Sequence, residues 1–384
     1  MRDAVIVEAV RTPVGKRRGG LAGVHPVDLS AHVLDALIER TGLDPVLVDD
    51  VIWGCVSQVG EQTYNVARNA VLAAGWPETV PGTTIDRQCG SSQQAVHFAA
   101  ATVISGQCDI VVAGGVESMS RVPMGSSVGS EVGRPLGRRF LDRYDGVEPH
   151  QGTGAELMAS RWGLTRMELA AYSLGSHEKA AAAQDGGAFE GQIAPIKLDD
   201  GTVVSADEGI RRGGTVEGLA ELKTPFDPDG VVTAGNASQI SDGAAALLVM
   251  SSERAAELGL RPIVAIHTAV VTGDDPMMML TGPIPATAKA LARAGLGIDD
   301  IGAFEVNEAF APVPLAWLAE TGADASRLNV HGGAIALGHP LGGSGARLMT
   351  TLTHHLRAEG IRYGLQTMCE GGGMANATIL ELVE

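Results

Sequence analysis

Two cysteines and one histidine stand in glycine-rich settings in this chain of 384 residues. They are Cys89 in Asp86-Arg87-Gln88-Cys89-Gly90-Ser91-Ser92, His339 in Gly338-His339-Pro340, and Cys369 in Cys369-Glu370-Gly371-Gly372-Gly373. Glycine lets backbone approach a ligand closely. Thiol and imidazole are side chains of nucleophilic and proton-transfer chemistry. Two thiols and an imidazole together can form and cleave a thioester. Cys89 is expected at a strand-to-helix turn, where the helix N-terminus favours a thiolate, with Ser91 and Ser92 as caps. By itself it also fits an inert buried cysteine. His339 suits a general base that must come close to a substrate. The glycines after Cys369 can offer N–H groups to a developing oxyanion, or merely form a tight turn. No Lys-Ser/Thr follows them, which argues against a phosphate loop. Asn307, at the end of the strand-like Phe304 to Val306, is an amide able to orient water. Cys55 and Cys108 read as core residues. The remaining histidines read as surface or packing residues.

The elements that must position these groups alternate between strand and helix. Strands are expected at Ala4–Ala9, Val51–Val56, Thr83–Ile85 and Ile110–Ala113. Helices are expected from Pro26, around Ala67–Ala74, and over Ser91–Ser105, the last apolar on nearly all sides and so buried. This alternation predicts an α/β fold with buried sheets. Residues 118 to 240 change character to Gly/Ser/Pro/Arg-rich loops and read as an insertion capping a site. An internal echo predicts two related halves. Thr41-Gly42-Leu43 and Asp49-Asp50-Val51 are answered by Ala294-Gly295-Leu296 and Asp299-Asp300-Ile301. The echo puts Cys89 and His339 at corresponding points, facing a shared pocket.

The net charge of −17 argues against nucleic acid or an anionic membrane as partner. No apolar run reaches the ~18 residues of a membrane span. Four cysteines without a CxxC pair argue against a zinc site or a disulfide framework and fit a reduced, cytoplasmic compartment. The acidic residues near Met1 do not read as a signal peptide, and the final Glu381-Leu382-Val383-Glu384 is no peroxisomal address.

Taken together, these segments resemble the thiolase family over nearly the whole chain. The resemblance rests on Cys89-Gly90-Ser91, Asn307-Glu308-Ala309-Phe310, Gly338-His339-Pro340 and Gln366-Thr367-Met368-Cys369-Glu370-Gly371-Gly372-Gly373. Val10-Arg11-Thr12-Pro13 and Thr233-Ala234-Gly235-Asn236-Ala237-Ser238 are similar too. The resemblance implies a thiolase fold, two similar halves with buried mixed sheets in an α-β-α-β-α layering plus an inserted loop domain. The expected division is 1–117 with 241–262, 118–240 over the CoA site, and 263–384.

It also implies ping-pong acyl transfer, by an acetyl-CoA C-acyltransferase or C-acetyltransferase of fatty acid β-oxidation and lipid metabolism. Cys89 would carry the acyl group, His339 would take its proton, and Cys369 would move the proton at the acetyl-CoA α-carbon. One oxyanion site would be His339 with a water held by Asn307. The other would be the N–H groups of Cys89 and Gly371. CoA would be contacted by His150, Arg211, Phe226, Ala234, Ser238, Ala309 and Phe310, with Arg211 and Arg212 supplying positive charge. CoA and acyl-CoA are then substrates, with no tightly bound cofactor and no metal, in a homodimer or homotetramer. Gln151 and Leu280 depart from many short-chain thiolases, and at least Gln151 is near the expected acyl pocket. In this the chain is similar to actinobacterial-type thiolases that handle bulky or steroid-derived acyl chains. Two other readings compete. A ketoacyl synthase shares the fold but lacks a second catalytic cysteine, so Cys369 argues against it. A noncatalytic acyl-CoA-binding protein would not need Cys89, His339 and Cys369 intact.

Overall fold

The computed structural model describes residues 2–128 and 133–383. The chain opens with β1 (Val5–Arg11), buried except at Glu8, and the short β2 (Gly15–Lys16). Helix α1 (Pro26–Thr41) begins with Pro26, whose φ is preset for a helix, and stops at Gly42 in the left-handed conformation. Then come β3 (Asp50–Gly54), α2 (Val66–Ala73), β4 (Thr83–Ile85), α3 (Ser91–Ser105) and β5 (Ile110–Ser118). The stretch before the next long strand holds α4 (Arg138–Arg143), α5 (Gln151–Arg161) and α6 (Arg166–Asp185). It also holds the hairpin of β6 (Ile196–Lys197) and β7 (Val203–Val204), and α7 (Val216–Ala220). β8 (Ser241–Met250), buried at every position, returns to the first half, and α8 (Ser252–Glu257) leads out of it.

The second half repeats this plan with β9 (Val264–Gly273), α9 (Pro283–Ala294), β10 (Ala303–Val306) and α10 (Pro312–Thr321). It ends with α11 (Ala334–Leu337), α12 (Ser344–Glu359), β11 (Tyr363–Glu370) and β12 (Met374–Leu382). Gly295 closes α9 in the left-handed conformation, as Gly42 closes α1. The pairings repeat as well. β4, β3 and β5 are parallel neighbours, and β5–β8–β1 are antiparallel. Leu328 (bridged to Phe304), β10 and β11 are parallel, and β11–β12–β9 antiparallel. The two sheets also join, because Val5 pairs with Ala265 and Ile6 with Val264, so one hydrogen-bonded path runs through both halves.

Three apolar clusters define the layers. One packs α1 and α2 on the outer face of the first half. A second joins α3 and α12 to strands of both halves. A third packs α9 and α10 on the outer face of the second. This is the expected α-β-α-β-α layering, with α3 and α12 as its centre. The expectation that α3 is apolar and buried on nearly all sides needs one correction: Phe98 and Ile104 are exposed. Among the described residues no helix is long and apolar enough to cross a membrane.

Candidate active site

Cys89 stands in the turn between β4 and α3. Gln88, just before it, has φ 48°, a conformation that costs a non-glycine residue energy and persists only where its surroundings enforce it. Asp86 Oδ1 accepts from Gln88 N at 2.7 Å, and Ser91 Oγ donates to Gln88 O at 2.6 Å. Neither Ser91 nor Ser92 caps α3, whose N-cap is Gly90. Ser91 Oγ instead accepts from Arg87 N at 2.9 Å, and Ser92 Oγ accepts from Ala346 N at 2.8 Å, tying α3 to α12. The pull of the helix N-terminus on the Cys89 thiolate meets opposition. Burial, and after it the Glu370 carboxylate, push the partly exposed Cys89 thiol up to about 12.

His339 lies in the corresponding turn of the second half, between α11 and α12. Gly338 has φ 104°, and a Cβ there would collide with Ser241 Oγ, so only glycine fits before the histidine. Ser344 Oγ lies 2.9 Å from Pro340 O and 2.6 Å from His339 Nδ1; with its one proton on Pro340 O it accepts from Nδ1–H. In that arrangement Nε2 is the free, basic nitrogen. Burial, with the Arg347 charge second, drives the imidazole down to about 3, so it is neutral at physiological pH. Asn307, just past β10, brings Nδ2 to 3.5 Å from His339 Nε2, while its Oδ1 has no partner among the described residues.

Cys369 is the penultimate residue of β11, paired with Ala375 and fully buried. Burial, then the neighbouring Cys89, hold its thiol well above the usual range. Cys89, His339, Cys369 and Gly371 line one cavity of about 180 Å³. Phe226, Ser238, Ala309 and Phe310 line it too. A groove of about 690 Å³ shares Phe226, Ser238, Gln239 and Ile240 with it and extends outward past Ala234 and Arg211. His150 lines neither space. It caps α5 through Nδ1 and holds its ring 5.6 Å from that of Phe226.

Comparison with known proteins matches the chain in two blocks. The family profile "Thiolase, N-terminal domain" matches residues 4–253, and "Thiolase, C-terminal domain" matches residues 260–382. The chain belongs to the thiolase family. It is 52% identical over 389 residues to a steroid 3-ketoacyl-CoA thiolase of Mycobacterium tuberculosis, covering 99% of this chain and 94% of that one. It is 43% identical over 391 residues to a 3-ketoacyl-CoA thiolase of Aliivibrio fischeri, covering 99% and 100%. It is 44% identical over 393 residues to one of Escherichia coli O139:H28, with both chains fully covered.

Several supports of this thiolase site escaped the sequence reading. Glu117, at the end of β5, accepts from Val56 N, Ser57 N, Gln62 Nε2 and Gly342 N, and so ties the loop after β3 to the turn after His339. Glu308 accepts from Tyr172 OH, Ser176 Oγ, Asn329 Nδ2 and Ile335 N, locking the block after Asn307 to α6 and α11. Ser344 carried a signal only in hindsight, as a hydroxyl one helical turn past Pro340. Positive charge along the groove comes from Lys16, Arg17 and Arg211, and Glu208 adds one carboxylate. Arg212 does not line it and is paired with Asp185 at 2.8 Å. Gln151 and Leu280 both line the inner cavity, beside Met119, Met124 and Met279.

Proposed function

We propose that this protein is a 3-ketoacyl-CoA thiolase acting through an acyl thioester on Cys89. The observation that supports this best is the meeting of Cys89, His339 and Cys369 in one cavity at the inner end of an elongated groove. In thiolysis, Cys89 gives its proton to His339 Nε2 as Sγ bonds to the 3-keto carbon. The C2–C3 bond then breaks. Cys369 protonates the departing enolate, and acetyl-CoA leaves. CoA–SH next attacks the acyl-Cys89 thioester, its proton going to the Cys369 thiolate, and Cys89 recovers its proton from His339. Charge on the ketone oxygen or on the thioester oxygen is met by His339 Nε2–H with a water on Asn307, or by the N–H groups of Cys89 and Gly371. Condensation of two acetyl-CoA molecules is the reverse course.

The groove suits CoA, with Arg211, Lys16 and Arg17 for its phosphates and Phe226, Ala234, Ser238, Ala309 and Phe310 along the pantetheine. His150 acts through the Phe226 ring. CoA is a substrate, and no tightly bound cofactor is needed. The division into 1–117 with 241–262, 118–240 and 263–384 belongs to this reading. Met119, Met124, Phe226 and Ser238 of the middle segment all line the cavity, which suits a cover. A cytoplasmic site of action fits the four free cysteines.

For the acyl group we favour chains bulkier than acetoacetyl, steroid-derived ones among them. Three methionine side chains and Leu280 form an apolar wall that can repack around varied shapes. The relative from M. tuberculosis carries a steroid substrate in its name. Thiolysis measured across acetoacetyl-, medium-chain and steroid-side-chain 3-ketoacyl-CoAs tests this. Higher kcat/KM for the larger substrates is expected, and activity confined to acetoacetyl-CoA would overturn the acyl assignment.

A further inference from the structure

Glu370 is a carboxyl in the wall of the reaction cavity that the steps above do not use. Its position in the chain, between Cys369 and Gly371, puts it at the end of β11. It is fully buried, and among the described residues neither of its oxygens has a hydrogen-bond partner. A carboxylate left in that state loses solvation without compensation. Its Oε1 packs against the Cα of Gly90, where an added Cβ would collide with it. Asn376 of β12 reaches the same point, with Nδ2 donating to Gly90 O at 3.0 Å. The turn carrying the nucleophile therefore rests on Glu370 and Asn376.

From this placement we infer that Glu370 is a positioning residue that controls the nucleophile electrostatically: neutral, it permits Cys89 to lose its proton, and ionised, it opposes that loss. The inference rests on Cys89 being the nucleophile. The charged and titratable groups around Glu370 are Arg87 and Asp86 from the turn before Cys89, and the two thiols, Cys89 and Cys369. Arg87 favours the ionised carboxyl and Asp86 opposes it, but burial dominates and pushes Glu370 up to about 8. The carboxyl is therefore mostly protonated at neutral pH, and its negative charge appears as pH rises past that value. A negative charge this close raises a thiol's pKa.

The test is the pH dependence of iodoacetamide alkylation, with the modified cysteine located by peptide mass spectrometry. Wild type and Glu370→Gln should react at similar rates at pH 6–7, where both carry a neutral side chain. Above pH 8 the variant should pull ahead by about tenfold, the equivalent of about one unit of thiol pKa. Glu370→Asp, which restores the carboxyl, should return the curve toward wild type and also guards against a folding defect in the first variant. Superimposable profiles for wild type and Glu370→Gln across pH 6–10 would overturn the inference. Label on a cysteine other than Cys89 would instead overturn the assignment of the nucleophile, so the two failures are told apart.

Discussion

At Cys89 two opposing fields meet. The N-terminus of α3 favours a thiolate by about 0.3–1 kcal/mol, less than one unit of pKa at about 1.36 kcal/mol per unit. Burial acts the other way, joined by the Glu370 carboxyl once it ionises, and together they push the thiol up to about 12. In the proposed mechanism Cys89 then loses its proton during attack rather than before it, with His339, neutral down to about 3, as the base. The sign of the pH dependence follows. The base is competent in its deprotonated form, so lowering pH from 7 to 5 should not reduce acylation through His339. Single-turnover acylation should show no titration near 6.5 in that range, and a limb there would contradict the assignment. Ser344→Ala removes the acceptor that fixes the tautomer and should lower kcat/KM about tenfold, the loss of one hydrogen bond of about 1.4 kcal/mol. Cys369→Ala should leave Cys89 acylation detectable while slowing exchange of the acetyl-CoA methyl protons with deuterated water by about 10²–10⁴. Wild-type exchange in that variant would make Cys369 a residue of the turn alone. The cysteines and the histidine were legible because glycines flank them. The thiol's environment was not, because it depends on Glu370 folding back under Gly90, which no local pattern encodes.

Among the elements, the crossing of α3 and α12 decides whether Cys89 and His339 face one another. Gly345 lies so close to α3 that an added Cβ would collide with Gln93 N, and Ala346 N bonds Ser92 Oγ at the same place. Gly345→Val should force the helices apart, lower stability by about 1–3 kcal/mol and reduce kcat/KM more than that loss of folded protein explains. Urea unfolding and kinetics on the folded fraction would check this, and an unchanged midpoint would mean that the crossing tolerates the side chain. Much of this level could be read from sequence. The bounds of α3 follow from its apolar run, and the paired Gly42 and Gly295 stops reveal the repeated plan. The joining of the two sheets at Val5 and Ile6 could not be read, since β1 and β9 are similar apolar strands with several acceptable partners. Lys16 and Arg17 were missed for a related reason: the groove collects them from a short strand and the turn after it, far in sequence from Arg211.

For the whole molecule, buried histidines couple stability to pH. Burial drives His97 and His339 down to about 3, and His177, His331 and His354 to about 4, from 6.5. Below 6.5 each of these histidines binds more protons unfolded than folded, so their contribution to stability falls as pH drops from 6.5 toward 4, while the buried carboxyls Glu305 and Glu370, pushed up to about 8, act the other way. His97, whose Nε2 lies 2.7 Å from Thr378 Oγ1 in the central layer, is the cleanest single case. His97→Gln should reduce the slope of unfolding free energy against pH by up to about 1.36 kcal/mol per unit in that range. An unchanged slope would show that His97 is not held neutral. We also expect a homodimer or homotetramer, with the stretch from Met119 to Arg143 as a candidate for tetramer contacts, although residues 129–132 of it lie outside the described residues. Light scattering showing a stable monomer would contradict that. Acyl transfer through Cys89 can be read by mass spectrometry of the protein after exposure to acetyl-CoA. A gain of one acetyl group is expected, mapped to the peptide carrying Cys89 and absent in Cys89→Ser. Acetylation of Cys369 with Cys89 unmodified, or no covalent adduct in an enzyme that turns over, would contradict it.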